Sequence, residues 1–281
     1  SFFLVFSQAQ HLHDSAEQCG HDLVLKALEA QYPGFKQNYD KAYLEQVNTK
    51  PVAGRKIKIT DTAYYTDTIF TIPVVFHILY NNAAENINDS LILNQLQVLN
   101  QDFRRLNADT GNTRSFFKSR AGDARIQFEL ATTDPNGNAT TGIIRKSTTR
   151  TTFGNLNLTD EMKSSSTGGS DPWNPAKYLN IWICDISISG QDILLGYAFP
   201  PYGHPNWNSN SWVADARQGV VIHYKVMGRN NPLANNGALL LNRKGRVAVH
   251  EIGHYLGLRH IWGDGQSAAF GCSVDDYLWD T

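Results

Sequence analysis

From Val247 to His260 the chain runs VAVHEIGHYLGLRH. His250 and His254 stand four residues apart, so on an α-helix both imidazoles leave the same face, one above the other. Rings so placed can share one metal ion, and neutral imidazole nitrogens suit Zn²⁺, which takes about four ligands in a tetrahedron. His260 lies six residues beyond His254, where a continued helix would carry it to the far side. Gly257 offers the way out: glycine accepts a left-handed backbone and ends helices, so a turn there brings Leu258 to His260 back beneath the ion. Three protein nitrogens leave a fourth position for water, the arrangement of a catalytic rather than a structural site. Glu251, next to the first ligand, points near the ion without binding it. Zn²⁺ lowers the pKa of its water to about 7, and a carboxylate within hydrogen-bond reach takes that proton. Hydrolysis of a peptide bond is the reaction these parts fit best. A bare His-Glu-x-x-His also occurs by chance on solvated helices; the glycine and third histidine at their required offsets make this signal specific.

The text upstream alternates strands and helices. Val220 to Val226, VVIHYKV, Tyr178 to Ile186, YLNIWICDI, and Thr71 to Tyr80, TIPVVFHILY, are apolar runs of strand length. Ile126, Phe128 and Leu130 alternate as a half-buried strand leading to the turn Asp134-Pro135-Asn136-Gly137. Between them Ile92, Leu96, Leu99, Phe103 and Leu106 recur at helical spacing, with Ser90 as the expected cap. The Ser/Thr/Gly-rich stretch Ser147 to Ser170 is expected to be a long surface loop. From His11 to about Lys50 the chain is polar and helix-prone, and Pro33-Gly34 divides it into two short helices. Lys50 to Asp67 is a linker with the basic cluster Arg55-Lys56-Ile57-Lys58. Ser1 to Gln10, SFFLVFSQAQ, has the apolar run and small residues of a signal-peptide tail, the alternative being a poorly packed apolar terminus.

Composition narrows the partners. The 281 residues are 41% hydrophobic and 11% aromatic, ordinary for a globular protein. A formal charge of -1 provides no basic field, so nucleic acid and anionic membranes are not expected partners. Beyond the terminus no stretch approaches the ~18 apolar residues of a membrane span. Cys19, Cys184 and Cys272 cannot all pair with one another. Cys184 alternates inside a strand as a small buried hydrophobe. Asp275, Asp276 and Asp280 cluster hard oxygens that suit Ca²⁺, with solvated loop carboxylates as the equal alternative. His77, His204 and His223 read as structural histidines, and His11, His13 and His21 as solvated ones.

HEIGHYLGLRH matches the HExxHxxGxxH pattern of the metzincin clan. TIPVVFHILYN, LNQLQVLNQDFRRLN, YLNIWICDI, LLGYAFP and HIWGDG before GCSVDDYLWDT are similar to the pappalysin family, in its bacterial secreted branch. The resemblance implies an α+β zincin: a twisted mixed sheet with backing helices and an active-site helix, preceded by a short helical pro-segment. It implies a signal remnant over 1–10, a pro-segment and linker over 11–68, and a catalytic domain over 69–281. It makes His250, His254 and His260 the zinc ligands and Glu251 the catalytic residue of an endopeptidase acting on proteins or peptides. The clan's edge strand pairs with substrate main chain, and Val220 to Val226 stands where that strand is expected. One departure is plain: Met162 and Met227 both precede His250, so the clan's Met-turn is expected beyond Thr281, as is a cysteine partner for Cys272. Cys19, in AEQCGHD, resembles a cysteine switch, since a thiolate can take the position of the water; an unpaired or downstream-bonded cysteine is the alternative. Two other readings compete: a zinc-binding, non-hydrolytic adhesin-like module, and a zinc hydrolase of another clan acting on small peptides or amides.

Overall fold

A computed structural model describes residues 19–48, 68–118, 121–199 and 217–260. The signal-like stretch, His11, His13, the basic linker cluster, His204, Cys272 and the three aspartates Asp275, Asp276 and Asp280 lie outside them.

The apolar runs build one sheet. β1 (Phe70–Tyr80), β2 (Ile126–Leu130), β3 (Ile143–Ser147), β4 (Leu179–Cys184), β5 (Gly196–Phe199) and β6 (Gly219–His223) lie in the order β2-β1-β4-β6-β5. β2 pairs with the first half of β1, and β3 pairs with its second half. All pairings are parallel except β5 with β6. β4 and β6 are buried along their whole length, which is why they read as continuous apolar runs: a parallel sheet is covered on both faces.

Six helices are described: α1 (His21–Gln31), α2 (Phe35–Asn48), α3 (Asp89–Phe103), α4 (Ser115–Lys118), α5 (Gly237–Leu241) and α6 (Arg246–Tyr255). One core lies between the sheet and α3 and α6, joining Phe76, Ile181, Ile222, Ile92, Leu99 and Ile252. The other face carries Trp182, Tyr197, Phe199 and Val221, and the N-terminal helices close it with Leu23, Val24, Leu28 and Phe35. Pro33 and Gly34 divide those two helices as expected, with Gly34 at φ 88. Among the described residues no helix is long and apolar enough to cross a membrane.

Three expectations need correction. α3 is capped by Asn88, whose side chain accepts from the Ser90 amide, and it ends at Phe103, so Leu106 is 70% exposed. Residues 147–170 are not a plain surface loop, because Phe153, Leu158, Met162 and Lys163 are buried against the second core. β6 is not an edge: it lies between β4 and β5, and the strand at that end of the sheet is β5. A strand of one-sided exposure and a fully buried one differ only in what packs beside them, which apolar content does not reveal. Two structural histidines behave as expected. His77 is buried with Nε2 3.0 Å from Asn180 Oδ1 and Nδ1 2.9 Å from Ser170 Oγ, and His223 Nε2 lies 2.9 Å from Asp192 Oδ1.

Candidate metal centre

α6 carries His250 and His254 on one face, and its end is a Schellman turn. The Gly257 amide donates to the His254 carbonyl at 2.9 Å, and the Leu258 amide donates to the Gly253 carbonyl at 2.9 Å. Gly257 has φ 92, a conformation that glycine adopts without steric cost. The reversal returns His260 to its partners. Nε2 of His254 lies 3.0 Å from that of His250 and 3.2 Å from that of His260, and the remaining side of the triangle is 3.3 Å.

A tetrahedral zinc with metal–nitrogen bonds of about 2.0–2.1 Å sets its nitrogens about 3.3 Å apart, so the triangle fits. The Leu258 carbonyl lies 2.8 Å from His254 Nδ1. A proton on Nδ1 would donate to that carbonyl and leave the Nε2 lone pair facing the other rings. Burial holds His254 down at about 3 and His260 at about 4, each lowered further by the neighbouring imidazoles, so the rings are neutral as ligands must be. The fourth donor comes from far away in sequence. Cys19 Sγ lies 3.3 Å from His254 Nε2, and the four donor atoms all fall within 4.8 Å of one another.

Glu251 is buried beside this group, with Oε2 3.7 Å from Cys19 Sγ. Burial raises its carboxyl to about 8, partly opposed by the thiol. Burial and then the Glu251 charge push the Cys19 thiol well above its ordinary value. A divalent ion among the four donors would reverse both trends, since it favours thiolate and carboxylate alike.

Some neighbours gave no signal in sequence. His21 is buried, not solvated: its ring stacks on that of His254 at 4.2 Å and meets His260 edge-on at 5.6 Å. Arg259 donates to Asp40 Oδ1 at 3.1 Å, and its guanidinium sits 4.2 Å and 4.1 Å from the rings of Tyr39 and Tyr43. The Gly20 amide donates to the Gly196 carbonyl at 2.7 Å, so Cys19 and Gly20 extend the sheet along β5 in parallel sense.

Fold and site together define a metallopeptidase of metzincin type. A family model described as pregnancy-associated plasma protein-A, peptidase family M43, matches residues 162–281. Mature mirolysin of Tannerella forsythia, in complex with a cleaved peptide, is 47% identical over 76% of this chain and 72% of that chain, with a TM-score of 0.63. Mirolysin in complex with compound 9 is 46% identical over 76% and 71% of the two chains, again with a TM-score of 0.63. A point mutant of Tannerella forsythia promirolysin is 39% identical over 94% of this chain and 76% of that chain, with a TM-score of 0.72. No curated protein matches the chain by sequence. The chain belongs to the pappalysin family of metallopeptidases.

Proposed function

We propose that this chain is the zymogen of a secreted zinc metalloendopeptidase, with residues 11–68 as pro-segment and linker and the catalytic domain from residue 69 onward. The observation that carries the reading is the triangle of His250, His254 and His260 nitrogens at 3.0–3.3 Å, with the Glu251 carboxylate buried beside it. Zinc held there would supply Lewis acidity toward a scissile carbonyl and a water. Glu251 takes a proton from the attacking water and passes it to the leaving amine. The free side of β5 receives an extended peptide by backbone hydrogen bonding, the place that Cys19 and Gly20 hold in the precursor. Cys19 then acts as the latency switch, its thiolate filling the position of the water. The wider coverage of the promirolysin structure, 94% against 76% for mature mirolysin, supports a pro-segment in the N-terminal helices. The apolar run within residues 1–10 supports export.

The retained Glu251 favours hydrolysis over a non-hydrolytic adhesin-like module. Activated protein should cleave peptides with one zinc bound, and Glu251→Gln should keep the zinc while losing at least ~10²-fold in kcat. Equal turnover by both proteins would refute the assignment, and no turnover by either would favour the adhesin-like module.

A further inference from the structure

We propose that Gly196 is a positioning residue for the reaction: the missing side chain at this point of the edge strand is the seat that holds the stem of Glu251. The inference rests on the function proposed above.

A Cβ built on Gly196 would lie 2.8 Å from Glu251 Cγ, 3.1 Å from Ile222 Cδ1 and 3.1 Å from the Val221 carbonyl oxygen. Ordinary contacts of a Cβ begin near 3.4 Å, so alanine here requires a neighbour to move. The backbone does not itself call for glycine, since Gly196 is absent from the residues of positive φ. Its hydrogen bonding would also survive a methyl group: it pairs with Ile222 in the antiparallel ladder, and its carbonyl accepts from the Gly20 amide. What glycine provides here is space, and the nearest atom claiming that space belongs to the general base.

Among the described residues the Glu251 carboxylate makes one hydrogen-bonding contact, with the Cys19 thiol at 3.7 Å, which is long even for sulfur. That contact leaves with the N-terminal segment. In the mature enzyme, packing of the stem between α6 and β5 would set where the carboxylate lies. Reacting groups must be held to within about 0.5 Å, and displacement by about 1 Å can cost 10²-fold in rate.

The test compares activated wild type, Gly196→Ala, Ile222→Val and Gly196→Ala/Ile222→Val, each with zinc. Ile222→Val removes the Cδ1 contact, so the double variant isolates the clash with Glu251 and the Val221 carbonyl. We expect both Gly196→Ala proteins to lose at least ~10-fold in kcat with KM changed less than about threefold. Zinc content should stay at one per chain, and the Co²⁺-substituted absorption spectrum should be unchanged. Ile222→Val alone should retain near-normal kcat. Unaltered kcat in Gly196→Ala would overturn the proposal, as would a matching rise in KM, loss of metal, or failure of both Gly196→Ala proteins to fold. Those results would mean that glycine serves the strand. An inactive wild type would instead defeat the functional reading on which the proposal stands.

Discussion

Cys19 Sγ lies 3.3 Å from His254 Nε2, although 235 residues separate them in the chain. With the three Nε2 atoms it completes a four-donor set of the kind Zn²⁺ prefers. Cys19→Ala therefore leaves a position for water, and the precursor should activate itself faster. The check is the lag before cleavage of a fluorogenic peptide; a lag equal to that of wild type would remove the switch.

Gly20 seats that cysteine. A Cβ on Gly20 would meet Tyr197 Cβ at 2.8 Å, Leu194 Cδ1 at 3.0 Å and the Gly196 carbonyl oxygen at 3.2 Å. Because one of these contacts is backbone and another a Cβ, the segment and not the strand must yield. Gly20→Ala should shorten the lag as Cys19→Ala does, while the mature enzyme, which lacks the residue under the proposed processing, keeps its kcat. Unchanged latency would show that the seat tolerates a methyl group.

Asp160 is a buried hub. It accepts from Tyr197 Oη at 3.0 Å and from Arg217 Nε at 2.7 Å, and it lies 3.1 Å from Lys163 Nζ. Lys163 also donates to the Arg217 carbonyl at 2.7 Å. Removing one partner leaves a buried charge without its counterion, a loss of about 3–5 kcal/mol. Asp160→Ala should lower stability by that amount in urea titration. A change below about 1 kcal/mol would place the cluster with surface ion pairs.

His77 gives the fold an acid limit. Desolvation holds it at about 4, against an ordinary value near 6.5, although the Asn180 hydrogen bond works the other way. Below pH 6.5 the unfolded chain binds a proton that the folded chain refuses, so stability falls as pH drops from 6.5 to about 4. The loss approaches 3 kcal/mol at about 1.4 kcal/mol per unit. His77→Gln should be less stable at pH 7 yet show a shallower decline between pH 6.5 and 4. Parallel declines in melting temperature would assign the acid sensitivity elsewhere.

Most of the centre was legible in one dimension. The four-residue spacing of His250 and His254, the helix breaker at Gly257 and the return of His260 are short-range features, set by helix geometry and by the left-handed freedom of one glycine. Likewise β1, β4 and the interior of α3 announce themselves through periodicity, because local burial repeats with the pitch of the element. The cap at Asn88 and the end of α3 at Phe103 were displaced by two and three residues from the expected Ser90 and Leu106, as terminal turns depend on which side chain reaches a free amide first.

Tertiary structure decided the rest. Nothing in the text AEQCGHD says that His21 stacks on His254, that Arg259 is enclosed by Tyr39, Tyr43 and Asp40, or that Gly20 lies along Gly196. Nor does apolar content tell β5, at the end of the sheet, from β6, which lies between β4 and β5. Sequence by itself determined the metal-binding helix and its reversal, because those geometries close within one turn of backbone. Cys19 as a fourth donor was legible only through the family resemblance. The sheet order and the room for Glu251 were decided only on folding, because they depend on distances between segments that no spacing along the chain encodes.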